Sequence, residues 1–223
     1  MSTDGHGGLG CYDGRVLKTA LAAIVLVLAF GSAVSAQTDS VVAVGVSVSL
    51  PEPTNSLADH HTGFGLVGRL RRGTGLGFSL GLGWFTSDVQ TELDGQLAPL
   101  GTMTIRPLML GASYAWQFSR FAVSAGLVGG WSFNSIKQTA AQQRIYGSLA
   151  GMPDASVSVE NGWALRPGVT VWRELGHHFA VAASVGYMIN RPTVTTRGAA
   201  GERRDTVNLS ATVISFGFLY GVF

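Results

Sequence analysis

Leu76-Gly77-Phe78-Ser79-Leu80-Gly81-Leu82-Gly83-Trp84 places a large apolar residue at every even position and glycine or serine at every odd one. A strand sends successive side chains to opposite faces, so this run has one greasy face and one nearly bare face. A helix would smear the same residues around its circumference, and its glycines and serine would weaken it. Soluble sheets usually turn a polar, charged face to water. An apolar face backed by small uncharged residues suits a strand between lipid and a narrow lumen.

The pattern recurs along the chain. Eight strands are predicted, at 41–50, 62–71, 76–84, 102–116, 121–133, 162–173, 179–190 and 206–223. Val44, Val46, Val48 and Leu50 alternate with Gly45, Ser47 and Ser49; Trp163, Leu165, Val169 and Val171 alternate with Arg166, Gly168, Thr170 and Trp172. Pro107 suggests a bulge or change of phase in the fourth strand, and the eighth shows an apparent slip near Val213. Connections alternate long (51–61, 87–101, 134–161, 191–205) and short (72–75, 117–120, 174–178), the asymmetry of extracellular loops and periplasmic turns. An open sheet in lipid would leave its edge amides unsatisfied, so the strands must close. The fold class is therefore all-β: an eight-stranded, antiparallel, up-and-down transmembrane barrel in the outer membrane, with both termini periplasmic.

Composition agrees. Only 13% of the 223 residues are charged, against roughly 25% in ordinary soluble domains. A net charge of +2 is too small to imply a nucleic-acid partner, and no basic run with interleaved aromatics is present, so none is expected. Cys11 is the sole cysteine, so no intrachain disulfide and no cysteine-based metal site is available. Arg15 and Lys18 precede an apolar run at 20–30 and the small residues Gly31-Ser32-Ala33-Val34-Ser35-Ala36. That is a secretory signal, too short in its apolar core to span a membrane. Residues 1–36 are expected to be removed, leaving 37–223 as a single barrel domain. The polar, glycine-rich stretch before Arg15 is unusual for a leader, and a translation start nearer Val16 would account for it.

These features resemble the small outer-membrane barrels of Gram-negative bacteria, the opacity-protein, OmpW-like and OmpA/OmpX-type group. Pro107-Leu108-Met109-Leu110-Gly111-Ala112-Ser113-Tyr114 is similar to a Pro-apolar-Gly-x-x-Tyr strand common among them. The resemblance covers 37–223 and concerns architecture, not activity. It implies that the C-terminal strand docks the outer-membrane assembly machinery through its terminal aromatics, although Phe223 falls one residue out of phase with Phe216, Phe218 and Tyr220.

Candidate chemistry is sparse. His60-His61 and His177-His178 are the mature histidines. Some barrels of this group modify lipid A with a rim His and Ser, and Asp59-His60-His61-Thr62 has the right residue types. Adjacent strand residues point to opposite faces, however, so adjacency alone gives no base–nucleophile geometry. No catalytic, cofactor or metal site is expected. Arg69 and Arg166 face the lumen on the predicted register, without a mid-strand acid to pair with them. Either lumenal water or a loop acid meets them, or both snorkel to solvent past strand ends. Arg106 faces lipid near the outer rim, as a candidate contact for lipopolysaccharide phosphates, unless Pro107 turns it inward. The functional expectation is a non-catalytic envelope or surface-contact protein, partnered by outer-membrane lipid and lipopolysaccharide, with its surface ligand unspecified. The alternatives are a narrow solute channel and a lipid-A-modifying enzyme.

The lumen decides between the first two. An eight-stranded bore is just wide enough for side chains to fill. Val67, Phe85, Met109, Val128, Trp172, Met188 and Leu219 are expected inside it, at differing heights, as plugs.

Overall fold

The computed structural model of the chain describes residues 42–54, 57–70, 74–93, 95–118, 121–151, 155–175, 178–199 and 201–221. The leader at 1–36, Cys11, Arg71, His177 and Phe223 lie outside them. Twelve strands and one helix are present among the described residues: β1 (Val42–Pro53), β2 (Ala58–His60), β3 (Gly63–Leu70), β4 (Gly75–Leu93), β5 (Gln96–Gln117), β6 (Ala122–Lys137), α1 (Ala140–Leu149), β7 (Ser156–Val159), β8 (Gly162–Glu174), β9 (Phe179–Asn190), β10 (Thr193–Gly198), β11 (Gly201–Thr206) and β12 (Ala211–Gly221).

Eight of the strands close a barrel in the order β1-β3-β4-β5-β6-β8-β9-β12, every neighbour antiparallel, with β12 pairing back onto β1. Closure leaves the barrel no free edge, which a sheet in hydrocarbon requires. Alternation sorts the side chains as the sequence predicts. Val44, Val46 and Val48 on β1, Leu76, Phe78, Leu80 and Leu82 on β4, Leu108 and Leu110 on β5, and Phe218 and Tyr220 on β12 are all exposed on the outer wall. Such a continuous apolar belt is a transmembrane surface. Aromatics gather at its two rims, as interfacial girdles do. Phe64 stacks with Trp84 and Trp131 meets Trp163 edge-on at one rim; Tyr114–Trp116 and Phe179–Tyr220 mark the other.

The expected strand limits need correcting at the loop end. The region at 87–101 is not a loop: β4 and β5 continue as a tall hairpin, with an irregular register at Val89/Gln90, and β2 pairs with its flank. The connection at 134–161 holds the end of β6, α1 and β7. The segment at 206–223 is not one strand: β11 ends at Thr206 and β12 begins at Ala211. β12 pairs without a break from Ala211 to Tyr220 against β9 and from Ala211 to Gly221 against β1, so no bulge lies at Val213. Val213 simply faces inward and is buried. Pro107 changes no phase either, because β5 keeps one register with β6 across it.

The loop-end elements build a folded cap. Thr139 starts α1 with a capping box: its hydroxyl accepts from the Gln142 amide at 3.2 Å, and its own amide donates to Gln142 Oε1 at 2.9 Å. β7, β10 and β11 form a separate three-stranded sheet. Tyr146 of α1 ties helix to sheet through a buried 3.0 Å hydrogen bond between its hydroxyl and that of Thr196.

Candidate functional site

The interior holds a concave feature of small-molecule size, and its chemistry follows from the inward positions. At the loop end Phe85, Met103, Ile105, Met109, Met188 and Val213 point in from the barrel wall. Ala58, Val89, Leu100, Tyr146, Val194 and Leu209 join them in one buried apolar cluster. The cluster draws its residues from both wall and cap, and close-packed apolar side chains leave little room for water. At the turn end Trp172 packs with Ala115, Ala122 and Ala182. The Arg69 guanidinium carbon lies 4.8 Å from the Trp172 ring centre, a cation–π stack.

Between the two clusters lies a cavity of about 130 Å³, bordered by Ser47, Ser49, Ser79, Thr170, Ser184 and Ser215 as well as by Phe85, Met109, Val128, Met188 and Leu219. A second void of about 80 Å³ adjoins it across Arg69, Arg166 and Val128. Both arginines therefore face the lumen, as the register predicts. Arg69 stacks on Trp172 one residue from the end of β3, and Arg166 sits opposite Val128 within the wall. No acidic residue lines either void. All seven expected plug residues face inward, and Phe85, Met109, Trp172, Met188 and Leu219 are buried.

Two prolines interrupt the wall beside this cavity. The β4–β5 ladder pairs Leu82 with Leu108 and resumes at Phe85 with Ile105, omitting Gly83 and Trp84 opposite Pro107 and Arg106. The β8–β9 ladder pairs Leu165 with Ile189 and resumes at Gly168 with Gly186, omitting Arg166 and Pro167. A proline has no amide hydrogen to donate to a ladder. The interruption at Pro167 escaped the sequence reading, although a proline at mid-strand was its visible signal.

Arg106 remains on the outer wall, exposed, with its guanidinium carbon 4.7 Å from the Trp84 ring centre in the loop-end girdle. His60 and His61 separate as strand neighbours do. His60 is buried edge-on against Phe85, with ring centroids 5.8 Å apart. Burial pushes its pKa below the usual value, against the pull of Asp59. His61 is exposed, its Nε2 3.1 Å from Asp88 Oδ2, while Thr102 donates its hydroxyl to Asp88 Oδ1 at 2.6 Å. The Thr102 hydrogen bond and His61 together hold the Asp88 carboxyl below its ordinary pKa. The sequence reading missed this pair, because 27 residues separate its members. A base and a carboxylate are thus paired, while among the described residues no hydroxyl hydrogen-bonds the His61 ring. No cluster of three or more metal-ligating side chains occurs among the described residues.

No protein-family model matches the chain, and no curated protein sequence matches it. Solved structures do match. The outer-membrane protein OprG from Pseudomonas aeruginosa aligns over 84% of this chain and 98% of its own, with 15% identity and a TM-score of 0.68. Outer-membrane protein AlkL, solved in lipid bilayers, aligns over 86% and 94%, with 14% identity and a TM-score of 0.53. Neisserial surface protein A aligns over 82% and 98%, with 11% identity and a TM-score of 0.51. At such identities the likeness is one of fold, and that fold is the small eight-stranded outer-membrane β-barrel.

Proposed function

We propose that this chain is a non-catalytic, integral outer-membrane protein that works through the folded cap at its loop end, in surface contact or envelope stabilisation. In this reading the cap is extracellular, and both termini and the three short turns are periplasmic. The observation that carries the reading is the shared core of cap and bore. Tyr146, Val194 and Leu209 bury themselves among Phe85, Met103 and Ile105, so the loops form an ordered surface and a stopper at once. One dry constriction is enough to stop ions, and in this reading the loop-end cluster supplies it. Purified barrel in a planar bilayer is expected to give no stable conductance steps; large porin-like steps would overturn the reading. In the same reading Arg106, stacked on Trp84, meets lipopolysaccharide phosphates at the outer rim, and β12 docks the assembly machinery.

A second reading, passage of small solutes, is favoured by a different observation. The two ladder interruptions include Pro107 and Arg166, which both line the central cavity, and in this reading a solute passes through the side wall there. Solute uptake by proteoliposomes without ion conductance would select this reading.

A further inference from the structure

The central cavity combines features that a mere packing defect would lack. Arg166 points into it from the middle of β8 and makes no hydrogen bond or ion pair with any described residue. A guanidinium removed from bulk water without an anion is costly, so such groups are normally paired. The lining carries no acid to serve, and Arg69 adds a second positive charge nearby. The remaining walls divide by chemistry. Met109, Val128 and Met188 are apolar, whereas Thr170 and Ser184, cross-strand partners on β8 and β9, offer hydroxyls to the same cavity as Arg166. The cavity is about 130 Å³, close to the roughly 150 Å³ of an engineered protein cavity that holds benzene.

We propose that the lumen holds a small organic monocarboxylate with an apolar body of about benzene's size, its carboxylate paired to Arg166 and its body against Met109, Val128 and Met188. The planar guanidinium fork matches a carboxylate in a bidentate manner, which an ammonium cannot do. The two arginines and absent acids disfavour zwitterions and cations, because an ammonium in the ligand would find no lumenal partner. An uncharged hydrocarbon of the same size would leave Arg166 unpaired, and a bare inorganic anion would leave the apolar walls unfilled. The site needs no ion-conducting path, so it stands whether or not the barrel conducts.

Binding of benzoate, toluene and inorganic phosphate to the folded barrel in detergent, measured by calorimetry, tests the proposal. Benzoate is expected to bind the wild type saturably and more tightly than either other probe. Arg166→Gln should weaken benzoate at least tenfold while leaving uptake of toluene by the micelle unchanged. Should Arg166→Gln fail to give the heat-modifiable folded band, Arg166→Lys keeps the charge without the fork and should weaken benzoate several-fold. No saturable benzoate binding, equal binding by the folded variant, or phosphate or toluene binding as tightly as benzoate would each overturn it.

Discussion

The guanidinium carbon of Arg69 lies 4.8 Å above the ring of Trp172, joining β3 to β8 across the turn end of the lumen. The stack serves two ends. It gives the Arg69 guanidinium an aromatic partner, and it holds the Trp172 ring from one side. Burial of Trp172 among Ala115, Ala122 and Ala182 fixes the ring from the other side.

Trp172→Ala is expected to destabilise the barrel by about 3 kcal/mol, in the range for deleting a buried aromatic. It should nevertheless leave the barrel non-conducting, because the loop-end cluster around Met103 and Ile105 remains. Thermal unfolding followed on gels reads the first effect and planar-bilayer recording the second. Conductance by this single variant would show that the cap does not seal.

Two wall glycines that look alike in sequence should behave differently. A Cβ at Gly130 would fall on the Leu108 carbonyl oxygen, whereas a Cβ at Gly68 meets nothing nearer than 4.0 Å. Gly130→Ala should lose the heat-modifiable folded band or unfold at far lower temperature; Gly68→Ala should match the wild type within about 0.5 kcal/mol.

The cap should loosen in mild acid. Burial lowers the pKa of His60, with Asp59 opposing and His61 reinforcing that shift. A histidine kept neutral by the fold contributes its full stability above its unfolded pKa of about 6.5. That contribution is lost as pH falls from there through the lowered folded value. Amide exchange at 58–60 and 87–89 should therefore quicken between pH 7.5 and 5.5, and His60→Leu should flatten the change. Exchange that is independent of pH in the wild type, after correction for the intrinsic rate, would remove His60 from this role.

The His61–Asp88 pair is expected to be structural. Replacing both His60 and His61 by Ala should leave the lipid A mass spectrum of expressing cells unchanged. A changed acylation pattern would restore the enzymatic reading and direct attention to the Thr102 side of Asp88.

A small tag inserted at Gly151, which is exposed just after α1 with a φ of +66°, should be labelled on intact cells. The same tag following β12 should be labelled only after the outer membrane is permeabilised. The reverse pattern would invert the proposed topology.

Much of this protein is legible in its residue pattern. Period two over 76–84 and its repeats assigned wall residues to lipid or lumen, Arg69, Arg166 and the seven plugs among them, and left Arg106 open beside Pro107. The signal survives because a strand's two faces depend only on parity, a local property, and because lipid tolerates almost no charge on one of them. Parity went astray only where phase was inferred from composition. Pro107 and Val213 look like slips, but unbroken pairing with β6 holds β5 in register, and pairing with both β1 and β9 holds β12.

The loop end and the contacts across the bore are matters of tertiary folding alone. Above the belt no lipid enforces alternation, so the hairpin extension at 85–104, α1 and the β7-β10-β11 sheet have no comparable sequence signature. The decisive partners are also far apart in the chain: Arg69 with Trp172, His61 with Asp88, Tyr146 with Thr196. Each pair meets because barrel closure and cap folding bring distant residues to one height and one side. Local periodicity determines which face a side chain takes; it carries no information about which residue waits across the lumen.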